Sequence, residues 1–130
     1  MKEPAKRAPT GTFFSDPVYL VLERDPFVAE DITASLQAIG PCRVIRVETA
    51  SGIRATLKEE SSVLAAFLDV KYAQVREARL DDMLLRRGAR IVLTVGEDDE
   101  AQATASGWGM LIRPFTERMI RDAVGAAPTP

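Results

Sequence analysis

Val63-Leu64-Ala65-Ala66-Phe67-Leu68-Asp69 sets six apolar residues in a row against a carboxylate. A strand with one wet face alternates apolar and polar residues. A short unbroken apolar run reads instead as a strand covered on both faces, as in a parallel sheet. Val18-Tyr19-Leu20-Val21-Leu22 has the same character and stops at Glu23-Arg24-Asp25-Pro26. Outward from these two runs, strand-like and helix-like stretches alternate five times. Asp25 before Pro26 predicts an N-cap with proline at the first helical position. Val28, Ile32, Leu36 and Ile39 then form one stripe that ends at Gly40-Pro41. Cys42 to Val47 reads as a weaker strand, and Ala50 to about Glu59 as a second helix with Ile53 and Leu57 four apart. Beyond Asp69 the spacing predicts one helix over 74–87 closed by Gly88, a strand over 89–95 and a short acidic helix over 97–106. A fifth strand over 110–112 and a last helix capped by Thr116 complete the pattern.

Strand–helix alternation of this kind implies a parallel sheet with helices on both faces, joined by right-handed crossovers. The two most apolar strands, the first and third, belong at the centre, and the order 2-1-3-4-5 fits. In such sheets ligand chemistry gathers beyond the carboxyl ends of the strands at the switch point. The 130 residues are enough for one domain. Residues 1–16 read as a flexible N-terminal arm, 17–125 as the folded domain and 126–130 as a disordered C-terminal end.

Composition excludes much. With no histidine, neither a Ser-His-Asp triad nor a His-ligated zinc site can be built. Cys42 is the only cysteine, so an internal disulfide is excluded and a reducing compartment, the cytoplasm, is expected. The 17 basic and 19 acidic side chains give a net charge of −2, against the basic excess of a nucleic-acid binder. No apolar run approaches the length of a membrane span.

The expected strand ends carry Glu23, Arg24 and Asp25 after the first, Asp69 and Lys71 after the third, Thr94 at the fourth and Arg113 after the fifth. Each alone has a bland reading: a carboxylate beyond a strand is commonly a cap or turn residue, and a threonine in a strand reflects β-propensity. Together they bring carboxylates, a hydroxyl and a cation to one edge.

The segments Val21-Leu22-Glu23-Arg24-Asp25-Pro26, Phe67-Leu68-Asp69-Val70, Val92-Leu93-Thr94 and Ile112-Arg113-Pro114-Phe115 resemble those of the receiver domains of two-component response regulators. The resemblance runs from Val18 to about Val124. It implies a flavodoxin-like α/β fold, a (βα)5 three-layer sandwich with sheet order 2-1-3-4-5. It also implies roles: Asp69 as phosphoacceptor, Thr94 as the switch hydroxyl on the phosphoryl oxygens, and Arg113 in place of the family lysine. Glu23 matches the first of the acidic residues that hold magnesium, with Asp69 as a further ligand, and the Arg113–Pro114 bond is expected cis.

The departures carry equal weight. Arg24 occupies the second acidic position, and Asp25 falls one residue late, where it serves as the helix cap. Arg113 keeps the charge of lysine but changes reach and geometry. Val95 replaces the small residue after the switch hydroxyl, and Met110 the frequently aromatic position on the fifth strand. Magnesium relies on carboxylate and phosphate oxygens in near-octahedral geometry. Exchanging a carboxylate for Arg24 removes a ligand and reverses a charge, so Mg2+ binding is expected to be weak or absent. Arg24 is expected to pair with Asp69 or Glu23 as a substitute for the metal; the competing reading points it at solvent.

The functional expectation is a stand-alone receiver domain of bacterial phosphorelay signalling, with impaired or atypical magnesium-dependent phosphorylation of Asp69. It would not be an enzyme beyond self-phosphorylation and autodephosphorylation. Its partners would be a histidine kinase or phosphotransfer protein and a downstream protein target, without nucleic acid or membrane; monomer and homodimer both stay open. Trp108 either lies near the output surface or packs on the sheet edge. The alternative is a phosphorylation-independent pseudo-receiver. A small-molecule-binding flavodoxin-like domain would need a phosphate-cradling loop that Glu23-Arg24-Asp25-Pro26 does not provide. A hydrolase built on Asp69 lacks a second aspartate two positions on, where Lys71 stands.

Overall fold

The computed structural model describes residues 16–125. Nearly all of the expected arm, residues 1–15, and the expected C-terminal end, 126–130, lie outside the described residues. Five parallel strands, β1 (Val18–Leu22), β2 (Arg43–Val47), β3 (Ala65–Leu68), β4 (Arg90–Leu93) and β5 (Gly109–Met110), form one sheet in the order β2-β1-β3-β4-β5. This is the expected flavodoxin-like arrangement. Alternation along the strands divides the core in two. Leu20, Leu22, Ala66, Leu68, Ile91 and Leu93 face one side; Tyr19, Val21, Ala65, Phe67 and Val92 face the other.

Helix α1 (Pro26–Ile39) covers the second side with Ala29, Ile32 and Leu36, joined by Ile120 of the last helix, α6 (Glu117–Gly125). Asp25 caps α1 as expected: its Oδ1 accepts from the Phe27 N–H at 2.9 Å. The buried stripe is rotated from the expected one, with Ala29 and Thr33 inside and Ile39 39% exposed. Thr33 is accommodated because its hydroxyl donates to the Ala29 carbonyl at 2.8 Å. Helices α2 (Ala50–Leu57), α3 (Tyr72–Glu77), α4 (Leu80–Arg86) and α5 (Glu100–Ala105) cover the first side. Each fully buried Leu, Ile or Phe there contributes about 1.5–3 kcal/mol. No helix among the described residues is long and apolar enough to cross a membrane.

The helix expected over 74–87 is two helices. Arg79 adopts a left-handed conformation, φ 57° and ψ 32°, and turns the chain between α3 and α4. The Ala78 carbonyl released at this break accepts from Arg54 Nη2 of α2 at 2.8 Å. Asp81 and Asp82 occupy the first turn of α4, where carboxylates favour a helix start. Asp81 also pairs with Arg76 across the break at 3.1 Å. At the other edge, β5 is the pair Gly109–Met110 rather than the expected 110–112, and the chain then leaves the sheet toward a cis Arg113–Pro114 bond, as expected.

Candidate functional site at the carboxyl edge of the sheet

The ladder runs one residue past the strands. Glu23 N–H donates to the Val47 carbonyl at 3.2 Å, Asp69 N–H to Leu22 at 2.9 Å, and Thr94 N–H to Leu68 at 2.9 Å. These bonds fix Glu23, Asp69 and Thr94 side by side, each one step beyond the paired Leu22, Leu68 and Leu93. Arg113 arrives from the segment after β5, where Leu111 N–H still bonds the Leu93 carbonyl at 2.9 Å.

Glu23 and Arg113 form the centre of the cluster. Arg113 Nη2 donates to Glu23 Oε1 at 2.6 Å and lies 3.6 Å from Asp69 Oδ1, so one guanidinium serves two carboxylates. Glu23 Oε2 accepts the Asp25 N–H at 3.1 Å. The Glu23 side chain is 2% exposed, against 31% for Asp69 and 41% for Arg113. A carboxylate so buried must be paired to stay charged. Glu23 therefore holds Arg113 in place, while Asp69 keeps an open flank toward solvent.

The pairing expected of Arg24 is not formed. Among the described residues Arg24 makes no ion pair with Asp69 or Glu23, and Arg113 makes both. The reason is strand parity: successive residues of an extended chain point to opposite faces. Glu23 follows the Val21 side, and Arg24 the Leu22 side. Arg24 is exposed and lines a cavity of about 410 Å3 with Leu22, Glu48, Val70 and Glu77; Glu23 and Asp69 touch the same cavity. Asp25 is engaged as the α1 cap.

Thr94 is 1% exposed, and its Oγ1 has no hydrogen-bond partner among the described residues. An unmade hydrogen bond on a buried hydroxyl costs about 1–3 kcal/mol. Val95, half-buried, follows it. Glu23 and Asp69 do not complete a magnesium donor set: both Glu23 oxygens are engaged, and Asp69 faces a guanidinium. No group of three or more Asp, Glu, Cys or His among the described residues is arranged to hold a metal ion. Lys71 is exposed at the start of α3.

Two features of this edge have no counterpart in the sequence reading. The Glu23–Arg113 pair spans 90 positions, and Asp99 reaches across to the Tyr72 N–H at 2.7 Å. Strand parity separates Glu23 from Arg24, but nothing in the sequence names Arg113 as the partner of Glu23. Trp108, 8% exposed, packs in the core beside Tyr72 rather than on an outer surface.

No family model and no curated protein sequence matches the chain. Solved structures do. One is the crystal structure of a response regulator receiver protein from Burkholderia phymatum, 20% identical, with a TM-score of 0.65. The match covers 88% of this chain and all of that one. Another is the crystal structure named as adenylate cyclase from Rhodopirellula baltica, 16% identical over 87% of each chain, with a TM-score of 0.68. The chain therefore has the receiver-type flavodoxin-like fold.

Proposed function

We propose that the chain is a receiver-type signalling module in which Asp69 accepts a phosphoryl group, with Arg113 supplying charge that magnesium provides in the usual site. One Asp69 carboxylate oxygen forms a bond to phosphorus. The bond from phosphorus to the donor atom breaks, and the electron pair leaves with the donor. Catalysis of such transfers is mainly positioning and charge neutralisation. Arg113, held by Glu23 within 3.6 Å of Asp69, offers that charge without a metal.

The observation that carries this reading is the Thr94 hydroxyl, buried and without a partner among the described residues, on the strand end next to that of Asp69. A phosphoryl oxygen on Asp69 is the acceptor it lacks. The donors in this reading are a histidine kinase or phosphotransfer protein in the cytoplasm, and the output is contact with a further protein.

A second reading has its own support. Arg113 already neutralises Asp69, and Arg24 stands where a second carboxylate belongs. On that reading the domain is a phosphorylation-independent pseudo-receiver held in one state. Intact-mass spectrometry after incubation with acetyl phosphate separates the two, using wild type, Asp69→Ala and Arg113→Ala with and without magnesium. The phosphoacceptor reading expects one adduct that requires Asp69, persists without magnesium and falls at least tenfold in rate in Arg113→Ala. Absence of any adduct in wild type establishes the pseudo-receiver instead.

A further inference from the structure

Tyr72 opens α3 three positions after Asp69, and nearly every group it offers is committed to the segment that follows Thr94. Its N–H donates to Asp99 Oδ2 at 2.7 Å, across 27 positions of sequence. Its hydroxyl shares a hydrogen bond with Ser106 Oγ at 2.7 Å and accepts from Arg76 Nη1 at 2.8 Å. Its ring centre lies 4.9 Å from that of Trp108, tilted by 40°, a geometry in which aromatic pairs attract. Hydrogen bonding to Ser106, aided by Arg76, holds the phenol below its ordinary pKa.

The first N–H groups of a helix have no partner within it, and a side chain of the preceding residue commonly fills the gap. The residue before α3 is Lys71, whose side chain has no acceptor. Asp99 supplies the acceptor from the 3-10 turn Glu97–Asp99 that leads into α5. Ser106 ends α5, and Trp108 stands two positions before Met110. The loops after Asp69 and after Thr94 are thus fastened by one tyrosine at its backbone, hydroxyl and ring.

We propose that Tyr72 makes α3 and α5 move as one piece, and that the Tyr72–Trp108 contact reports the state of the Asp69–Thr94 site. The reporting part rests on the phosphoacceptor reading; the fastening part does not. Met110, a flexible thioether, offers no hydrogen-bonding group of comparable strength for the reporting role.

Peptide-resolved hydrogen exchange on the full chain tests the fastening. One net hydrogen bond is worth about 1 kcal/mol, or about fivefold in an opening equilibrium. Tyr72→Phe and Asp99→Ala should each speed exchange about fivefold in both α3 and α5, with Asp99→Asn restoring part of the protection. Acceleration confined to α3 in Tyr72→Phe, or to α5 and the turn before it in Asp99→Ala, overturns the proposal. Emission from Trp108, the only tryptophan, tests the reporting in wild type and Tyr72→Phe treated with acetyl phosphate, with the adduct counted by mass. A wild-type emission change that disappears in a fully modified Tyr72→Phe supports it, and equal changes in both overturn it. If wild type takes no adduct, the phosphoacceptor reading and the reporting fall together, while exchange still decides the fastening.

Discussion

Arg113 and Arg24 carry the same charge at the same edge, yet the structure gives them opposite weights. Arg113 satisfies a Glu23 carboxylate that is 2% exposed, whereas Arg24 lines an open cavity. Arg113→Ala should therefore destabilise the fold by about 1–3 kcal/mol, the range for a hydrogen bond to a charged group, moderated by the partial exposure of the guanidinium. Arg24→Ala should stay within about 0.5 kcal/mol of wild type. Urea denaturation of both variants checks this; equal losses would contradict the pairing described. Thr94→Val exchanges the partnerless hydroxyl for a methyl of similar shape and should stabilise the domain by about 1 kcal/mol. A loss of that size in thermal melts would mean that the hydroxyl has a partner after all. At this scale the residue types meeting at the edge were legible in the sequence. The direction of Arg24 was legible only through the two-residue period of an extended chain, which charge complementarity ignores.

Helices α3 and α4 show where local reading ends. Nothing in Glu77-Ala78-Arg79-Leu80 marks a break: arginine has no preference for the left-handed region, and no Gly, Asn or Pro interrupts the run. The break is stabilised from outside by Arg54 on the Ala78 carbonyl, and locally by the Arg76–Asp81 pair across it. A non-glycine residue in this conformation costs about 1–2 kcal/mol, part of which glycine gives back through its looser unfolded chain. Arg79→Gly should thus stabilise by about 0.5–1 kcal/mol, read as a higher denaturant midpoint with unchanged slope. Arg87 is a second external tie. It donates to the Leu57, Glu60 and Met83 carbonyls near the ends of α2 and α4, at 2.8–3.2 Å. Arg87→Ala should cost about 1–3 kcal/mol in the same assay. By contrast, α1 was legible from Asp25-Pro26 onward because its start signal lies within its own sequence.

For the molecule as a whole, the apolar runs sufficed for the layers and the strand order, since burial on both faces and right-handed crossovers leave few alternatives. The long-range ties, Glu23 to Arg113 and Asp99 to Tyr72, leave no periodic trace and appear only once the chain is folded. Global stability should carry two tyrosine signatures of opposite sign at alkaline pH. Burial, with a smaller effect of Cys42, raises Tyr19 above its ordinary value near 10. The unfolded chain then loses that proton first, and stability falls as pH rises past 10. Tyr72 is lowered, so the folded chain loses its proton first and stability rises with pH as 10 is approached. Denaturant midpoints against pH should show the alkaline fall reduced in Tyr19→Phe and the preceding rise reduced in Tyr72→Phe. The two rims of the sheet bear on how the protein behaves in a crowd. One is the two-residue strand β5; the other is β2, which carries the exposed Arg43 and Arg46 on opposite faces, paired with Glu60 and Glu30. A rim that is short, or lined with charged side chains, is a poor template for strands of another molecule. Growth by strand addition, the route from a concentrated β-rich protein to fibrils, is thus discouraged at both sides by the same features that end the sheet.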